Sequence, residues 1–319
     1  MQYQAKGEET WRNLNSACMH QIMRGDRWTG MKLPTISTEA QQIIRDYVAA
    51  VDEKLNELSF DLEDWRRRQF LLNVEHGWRL YSMMLAQKRG SASVESIDAK
   101  KAIGHATPEM LIRHALGTSK RYLGEKKTAD EHFKILSQRM ESLREPQLLD
   151  AGCGWGRQLV SYRERSLSGD FFGVDISRMS IRYGKTVDPH THFVAADIQH
   201  LPFKNQCFDA VVCLAVVSRI RHSGGTENSI REFSRVLKPE GLLELVDAFT
   251  ENWLTTQALN LAARFLRVLL PEIGHFCQLN RVKELLKLNG FVDVKAERVG
   301  PTVAPLLFGN LCSFLATRS

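Results

Sequence analysis

The residues with the most legible chemistry are Asp150, Gly152, Gly154 and Gly156, set in the run Asp-Ala-Gly-Cys-Gly-Trp-Gly. Leu148 and Leu149 precede the run, and an amphipathic stretch from Arg157 to Arg165 follows it. That order reads as strand, tight turn and helix. Glycine accepts positive φ and lets the backbone touch a ligand. A glycine turn running into a helix N-terminus suits a nucleotide-like group. The dinucleotide spacing G-x-G-x-x-G would put its third glycine at Arg157, so that fingerprint is not met. A second acid, Asp175, ends the stretch Phe-Phe-Gly-Val-Asp, 19 residues past Gly156. An acid there can accept hydrogen bonds from both ribose hydroxyls of an adenosine. It also fits the cap of a helix beginning near Ser177. A glycine turn without any ligand stays open as the plainer reading of the first motif.

Further candidates lie in loops. The stretch Val-Val-Ser-Arg-Ile-Arg-His-Ser-Gly-Gly holds Arg219, Arg221 and His222. An arginine there could bind a carboxylate or phosphate, and a histidine titrates near neutrality and can act as a base. His275 follows Pro271 and Gly274 in an insertion between the fifth and sixth strands. The plainer reading for all four is a solvated loop. Arg66, Arg67 and Arg68 spread over most of a helical turn and read as a solvated face. Trp65, Trp78 and Tyr81 read as core.

Two kinds of element must position these residues. From Glu39 to Leu58 and from Leu62 to Gln87, apolar residues recur at helical spacing, with Thr38 as the expected cap of the first helix. Further helices are expected after Thr107-Pro108 and from Ala129 to Leu143. No strand pattern shows before residue 145. Beyond it, strands are expected at Gln147–Ala151, Phe171–Asp175, His192–Ala195, Phe208–Leu214, Gly241–Asp247, Phe291–Arg298 and Leu311–Thr317. Helices fill the gaps, which implies an α/β fold with a parallel sheet covered on both sides. Ligands in such sheets bind at the carboxyl ends of strands. The expected division is residues 1–145, a helical extension, and 146–319, the cofactor-binding domain.

Asp-x-Gly-x-Gly-x-Gly resembles the first motif of class I S-adenosylmethionine-dependent methyltransferases. Asp197 with Ile198, then Leu201-Pro202-Phe203, then Phe208-Asp209, and the segment Arg-Glu-Phe-Ser-Arg-Val-Leu-Lys-Pro-Glu-Gly from Arg231 to Gly241 are similar to one subgroup. That subgroup includes quinone C-methyltransferases and natural-product methyltransferases. The resemblance covers roughly residues 146–247. It implies a Rossmann-like, seven-stranded, mostly parallel sheet with helices on both faces. It implies S-adenosylmethionine as cofactor, held by Asp150, Gly152, Cys153, Gly154, Gly156, Asp175, Ile176, Asp197, Ile198 and Leu214. Asp197 would bind the adenine amino group. Ile198 would give its amide to a ring nitrogen and its side chain to the base. Asp209 would be structural. An N-terminal helix closes over the cofactor in such enzymes, so Arg121 and Tyr122 would line the mouth, with Tyr122 toward substrate. Histidine and aspartate are frequent after the fourth strand in the family. This chain has Ser218, Arg219, Arg221 and His222 there, so catalytic assignments do not carry over. His222 and His275 remain the candidate bases, and Arg219 and Arg221 the candidate substrate ligands.

The bulk properties narrow the partners. The 319 residues carry a net charge of +6, shared between the two halves rather than gathered in a tail. That permits nucleic acid but does not argue for it. The six cysteines are scattered, with no metal spacing, which suits a reduced cytoplasmic protein without metal. No apolar run is long enough for a membrane span. The favoured acceptor is a small metabolite, with the helical part as lid, substrate contact or homodimer contact. A tRNA-modifying methyltransferase is one alternative, since the Cys213–Ile220 stretch and Arg-Val-Leu-Lys-Pro-Glu-Gly are also similar to wobble-uridine tRNA enzymes, though their paired histidines are missing. A non-catalytic binding protein on the same fold is the other.

Overall fold

The structure is a computed structural model and describes residues 33–57, 64–112, 126–220, 222–266, 275–298 and 310–319. The chain divides into two compact units. One comprises Met1–Leu123 with Arg178–Tyr183, and the other Gly124–Ser177 with Gly184–Ser319.

The first unit is built on two long helices, α1 (Thr38–Glu57) and α2 (Asp64–Lys88). Ala40, Ile44, Tyr47, Val51 and Leu55 are the buried residues of α1, spaced three and four apart, so they form one stripe. Ser37, not Thr38, caps the helix: its Oγ accepts from the Ala40 amide at 3.1 Å. The stripe packs on Phe70, Val74 and Trp78 of α2, and Ile103, Leu111 and Ile112 close the cluster. Trp78 is wholly buried and meets Tyr47 edge-on at 5.6 Å, so it is core as expected. Of the three consecutive arginines, Arg67 bonds Asp52 at 2.6 Å and ties α2 to α1. A parallel pair of two-residue strands, β1 (Thr35–Ile36) and β2 (Ser93–Val94), also joins this unit. Two residues are too few to show alternation, which is why no strand was legible here. Helix α3 (Ser96–Ile103) follows β2.

The second unit opens with α4 (Lys126–Glu141). The sequence placed this helix with the N-terminal part; its Leu136 and Met140 instead pack on Leu148, Ala210 and Val212 of the sheet. Along the chain then come β3 (Gln147–Ala151), α5 (Arg157–Glu164), β4 (Asp170–Asp175), α6 (Arg178–Val187, whose Arg178–Tyr183 part is grouped with the first unit), β5 (His192–Ala195), β6 (Phe208–Leu214), α7 (Gly225–Val236), β7 (Leu237–Phe249), α8 (Trp253–Leu266), α9 (Leu279–Leu288), β8 (Phe291–Arg298) and β9 (Asn310–Arg318). The seven strands lie in the order β5-β4-β3-β6-β7-β9-β8. The first five are parallel, and β9 runs antiparallel to both β7 and β8.

Alternation along the strands assigns each face its helices. Leu148, Ala210, Val212, Leu242 and Leu315 face α4 and α5. Leu149, Val211, Cys213, Leu243, Leu245 and Phe314 face α7 and α9 through Ile230, Phe233, Val282 and Leu286. Each such leucine or phenylalanine contributes about 1.5–3 kcal/mol relative to exposure. The segments that carried the subgroup resemblance are bonded to one another. The Arg235 guanidinium donates to the carbonyls of Leu201 and Phe203 at 2.9 and 2.8 Å, and Glu232 accepts from the Leu201 amide at 2.7 Å. Asp209 accepts from the Gln147 amide and from Lys238, the structural role expected of it. Among the described residues, no helix is long and apolar enough to cross a membrane.

Candidate functional site

The site forms at the carboxyl ends of β5, β4, β3 and β6, which are adjacent in the sheet. The glycine run leaves β3 with φ of +92° at Gly152, +57° at Gly154 and +88° at Gly156. L side chains rarely adopt these values, which explains glycine at alternate positions. Space adds a second reason at two of them. A Cβ on Gly152 would stand 2.3 Å from Val216 Cγ2, and one on Gly156 would stand 2.5 Å from Phe193 Cζ. At Gly154 a Cβ would meet nothing within 4 Å. The loop is thus packed at both ends and open in the middle, a cradle into which a ligand can reach. The amides of Gly152 and Cys153 both donate to the Val174 carbonyl, at 2.7 and 2.9 Å, which pins the loop to β4. The Cys153 side chain is buried, and burial pushes its thiol pKa well up, so only its backbone faces a ligand. Gly156 precedes α5 without a side-chain cap.

Asp175 ends β4 and turns into the same loop. Its Oδ2 accepts from the Gly154 amide at 2.9 Å, and its Oδ1 from the Ser177 amide at 2.8 Å. Both readings of this acid are therefore partly realised: it organises the turn before α6, and it touches the glycine loop. A carboxylate offers about four acceptor positions, so two remain for hydroxyls. Burial raises its pKa, against the two amide bonds and the charge of Arg219, which pull it down. Ile176 follows with 49% of its surface exposed.

Asp197 lies two residues past β5, where the Gln199 amide donates to it at 2.9 Å. Ile198 corrects an expectation. Its side chain is 5% exposed and packs in the core with Leu149, Val174 and Leu201, so it presents no face to a base. The exposed apolar side chain at this edge is Ile176.

Leu214 ends β6, half-buried. Ala215 then takes φ of +58° and donates its amide to the Val246 carbonyl at 2.7 Å. A positive φ on alanine costs about 1–3 kcal/mol and often marks a functional turn. Nothing in the residue type announced it. The turn sends Val216 against Gly152 and leads into a 3-10 turn, Val217–Arg219. Ser218 donates its amide to Asp247 at 3.0 Å, and Arg219 Nε donates to the Ala215 carbonyl at 2.8 Å. Asp247, wholly buried, is a further residue that sequence reasoning missed. Its only signal was its place at the end of a strand.

His222 is exposed three residues past Arg219. His275 joins the same loop through its amide, which donates to the Ile220 carbonyl at 2.8 Å, and its Nε2 lies 3.5 Å from Asn260 Nδ2. The structure thus gathers the glycines, Asp175, Ile176, Asp197, Leu214 and Arg219 around one rim, with both histidines on the Ile220 side of it. Tyr122 and Arg221 lie outside the described residues, as does Arg121. Among the described residues, no group of three or more His, Cys, Asp or Glu could hold a metal.

Comparison with known proteins agrees with this geometry. Residues 149–245 match the family model for a methyltransferase domain. Over 116 residues the chain is 29% identical to an uncharacterized protein of Methanocaldococcus jannaschii, covering 36% of this chain and 47% of that one. Over 97 residues it is 34% identical to the mitochondrial arginine-hydroxylase NDUFAF5 of Danio rerio, covering 30% and 29%. Over 191 residues it is 29% identical to the demethylmenaquinone methyltransferase of Protochlamydia amoebophila, covering 51% and 76%. The chain spans half or less of the first two relatives. Residues 149–245 thus match a methyltransferase domain, and the glycine loop and the strand order are those that the class I resemblance implies.

Proposed function

We propose that the protein binds S-adenosylmethionine at the glycine loop and catalyses methyl transfer to a small-molecule acceptor. The observation that carries this reading is the bond from the Gly154 amide to Asp175 beside the open face of Gly154. It joins the turn that admits a ligand to the acid that would take ribose hydroxyls. When bound, the cofactor supplies a methyl group already activated on a sulfonium. The protein then has to align the acceptor and exclude water. Asp175 and Asp197 provide acceptors at adjacent strand ends, and Ile176 provides an apolar surface for a base. Val216 and Leu214 wall the loop. Arg219 brings positive charge to the rim, suited to an acceptor that carries a carboxylate or phosphate. His222 and His275 are the imidazoles at hand for an acceptor that must lose a proton.

The small-molecule reading is supported by the demethylmenaquinone methyltransferase among the relatives. The relative named for arginine hydroxylation makes turnover, rather than fold, the deciding test. Calorimetric titration with S-adenosylmethionine should show binding of about micromolar strength, weakened at least tenfold in Asp175→Asn. Radiolabelled cofactor should then place its methyl group in a small-metabolite extract. Label in tRNA would select the nucleic-acid alternative. No binding by the wild type would end the methyltransferase reading.

A further inference from the structure

The face of the sheet beneath α4 and α5 carries a buried polar layer that runs from Asp150, the acid before the loop glycines, to Glu244 and His132. Asp150 pairs with Val212, and Val212 with Glu244, across β3, β6 and β7. Lateral neighbours on parallel strands point the same way, so Asp150 and Glu244 share a face about 10 Å apart. Ser313 lies on the same face of β9, two residues before Leu315, the partner of Glu244. From α4, His132 Nδ1 stands 3.0 Å from Glu244 Oε1 and 3.1 Å from Ser313 Oγ. From α5, the Tyr162 hydroxyl lies 3.4 Å from Glu244 Oε2. His132 is 7% exposed, Asp150 3% and Glu244 8%.

Several charged groups act on this layer from the elements around it. Asp150 is faced by Arg157 at the start of α5, by Asp175 of β4 and by Glu244 of β7. The thiols of Cys153 and Cys213 also feel it, and Arg165 acts on Tyr162. Burial, reinforced by Asp175 and Glu244 and opposed by Arg157, pushes the Asp150 carboxyl up to about 7. Arg157 opposes the negative charge around Asp150, and the imidazole in contact with Glu244 is placed to add a second positive charge when Asp150 ionises. With Glu244 as the acceptor, Nδ1 of His132 carries the donated proton.

We propose that His132 is a positioning residue for cofactor binding: its imidazolium balances Glu244 so that Asp150, two residues before the first loop glycine, can hold a negative charge toward a cationic cofactor. This rests on the cofactor reading above. It makes affinity for S-adenosylmethionine rise with pH as Asp150 ionises. Removing the like charge of Glu244 lets Asp150 ionise at lower pH. Removing the positive charge of His132 has the opposite effect. At about 10 Å and an effective dielectric near 20, removing the Glu244 charge moves the midpoint down by about one pH unit, and removing the His132 charge moves it up.

The experiment is calorimetric titration of the full chain with S-adenosylmethionine from pH 5 to 9, for wild type, His132→Gln, Glu244→Gln and the double variant. The titration of the cofactor itself is common to all four and cancels. Relative to wild type, the midpoint should rise in His132→Gln, fall in Glu244→Gln and return close to wild type in the double variant. Mere loosening of α4 would weaken binding in both single variants without moving their midpoints apart. Unmoved midpoints, or shifts in one direction, overturn the proposal while leaving the cofactor reading intact. Absence of wild-type binding at every pH overturns both. Should His132→Gln fail to fold, Glu244→Gln must still shift downward, and failure to do so is decisive against the proposal.

Discussion

The two units bury polar groups in opposite ways. In the α/β unit, Asp175, Asp209, Asp247 and Glu244 are all buried, and each has a hydrogen-bond partner. In the helical unit, Tyr47 Oη, Trp78 Nε1, Ser82 Oγ, Gln87 Oε1 and His105 Nδ1 are buried without one. The α/β unit contributes just one such atom among the described residues, Arg163 Nε. The cause is architectural. Strand ends and tight turns leave backbone amides unspent, and three of those four carboxylates accept from such amides. Helix interiors spend their amides within the helix, so a side chain buried between helices finds no backbone donor. A fold with many strand ends at one edge is therefore a natural place to fix acids for ligand binding. A helix pair is not, unless water or a ligand completes it.

The largest expected effects break this contrast at the glycine loop. Gly152→Ala meets both a φ of +92° and a Cβ 2.3 Å from Val216. Left-handed strain of about 1–2 kcal/mol and overpacking of about 1–3 kcal/mol together should cost about 3 kcal/mol in denaturant unfolding. Gly154→Ala has the strain without the clash and should cost about 1 kcal/mol. Cofactor affinity should nevertheless fall at least tenfold, because the new methyl occupies the open side. An unchanged affinity in Gly154→Ala would show that the ligand does not approach there.

A middle-sized effect sharpens the contrast through pH. Asp150 in the α/β unit titrates near 7 when folded, against 3.8 ordinarily, because it is buried. The native state then binds more protons between those values, so this group's contribution to stability falls as pH rises through 7. His76 in the helical unit is lowered to about 4 from 6.5 by burial, with Arg79 adding to the fall and Glu75 opposing it. There the native state binds fewer protons, so stability falls as pH drops from 6.5 toward 4. Each slope is at most about 1.4 kcal/mol per pH unit. Measured against wild type, Asp150→Asn should gain stability on raising pH across 4 to 7, and His76→Gln should gain on lowering it. Parallel curves for a variant and wild type would mean that the group titrates normally.

The α/β unit was the more legible half, for physical reasons that differ by residue. Strands such as Phe208–Leu214 are continuous apolar runs between turns, and their bounds could be read to the residue. The glycine spacing declared positive φ before any coordinate. The left-handed Ala215 was silent, because a strained alanine has no sequence signature. Ile198 misled because its place after Asp197 says nothing of which way its side chain turns. His132 was invisible because its partner, Glu244, lies 112 positions away. In the helical unit periodicity gave α1 and α2 almost whole. The β1–β2 pair was below the length at which a pattern exists.

The smallest effect tests whether the orphaned groups of the helical unit are truly alone. Tyr47 is 8% exposed, burial holds its hydroxyl pKa well above the usual range, and its ring lies edge-on to Trp78. Tyr47→Phe keeps the ring and its packing and deletes only the hydroxyl. An unpartnered hydroxyl forfeits hydrogen bonds to water on burial, so removing it should leave stability unchanged or raise it by about 1 kcal/mol. Trp78→Phe would not serve as well, since it also removes ring volume and opens a cavity. A loss of more than about 1 kcal/mol in Tyr47→Phe would mean that the hydroxyl has a partner, a water or a bound molecule. The interior of the helical unit would then be a completed polar site like the edge of the sheet, and the contrast between the two units would dissolve.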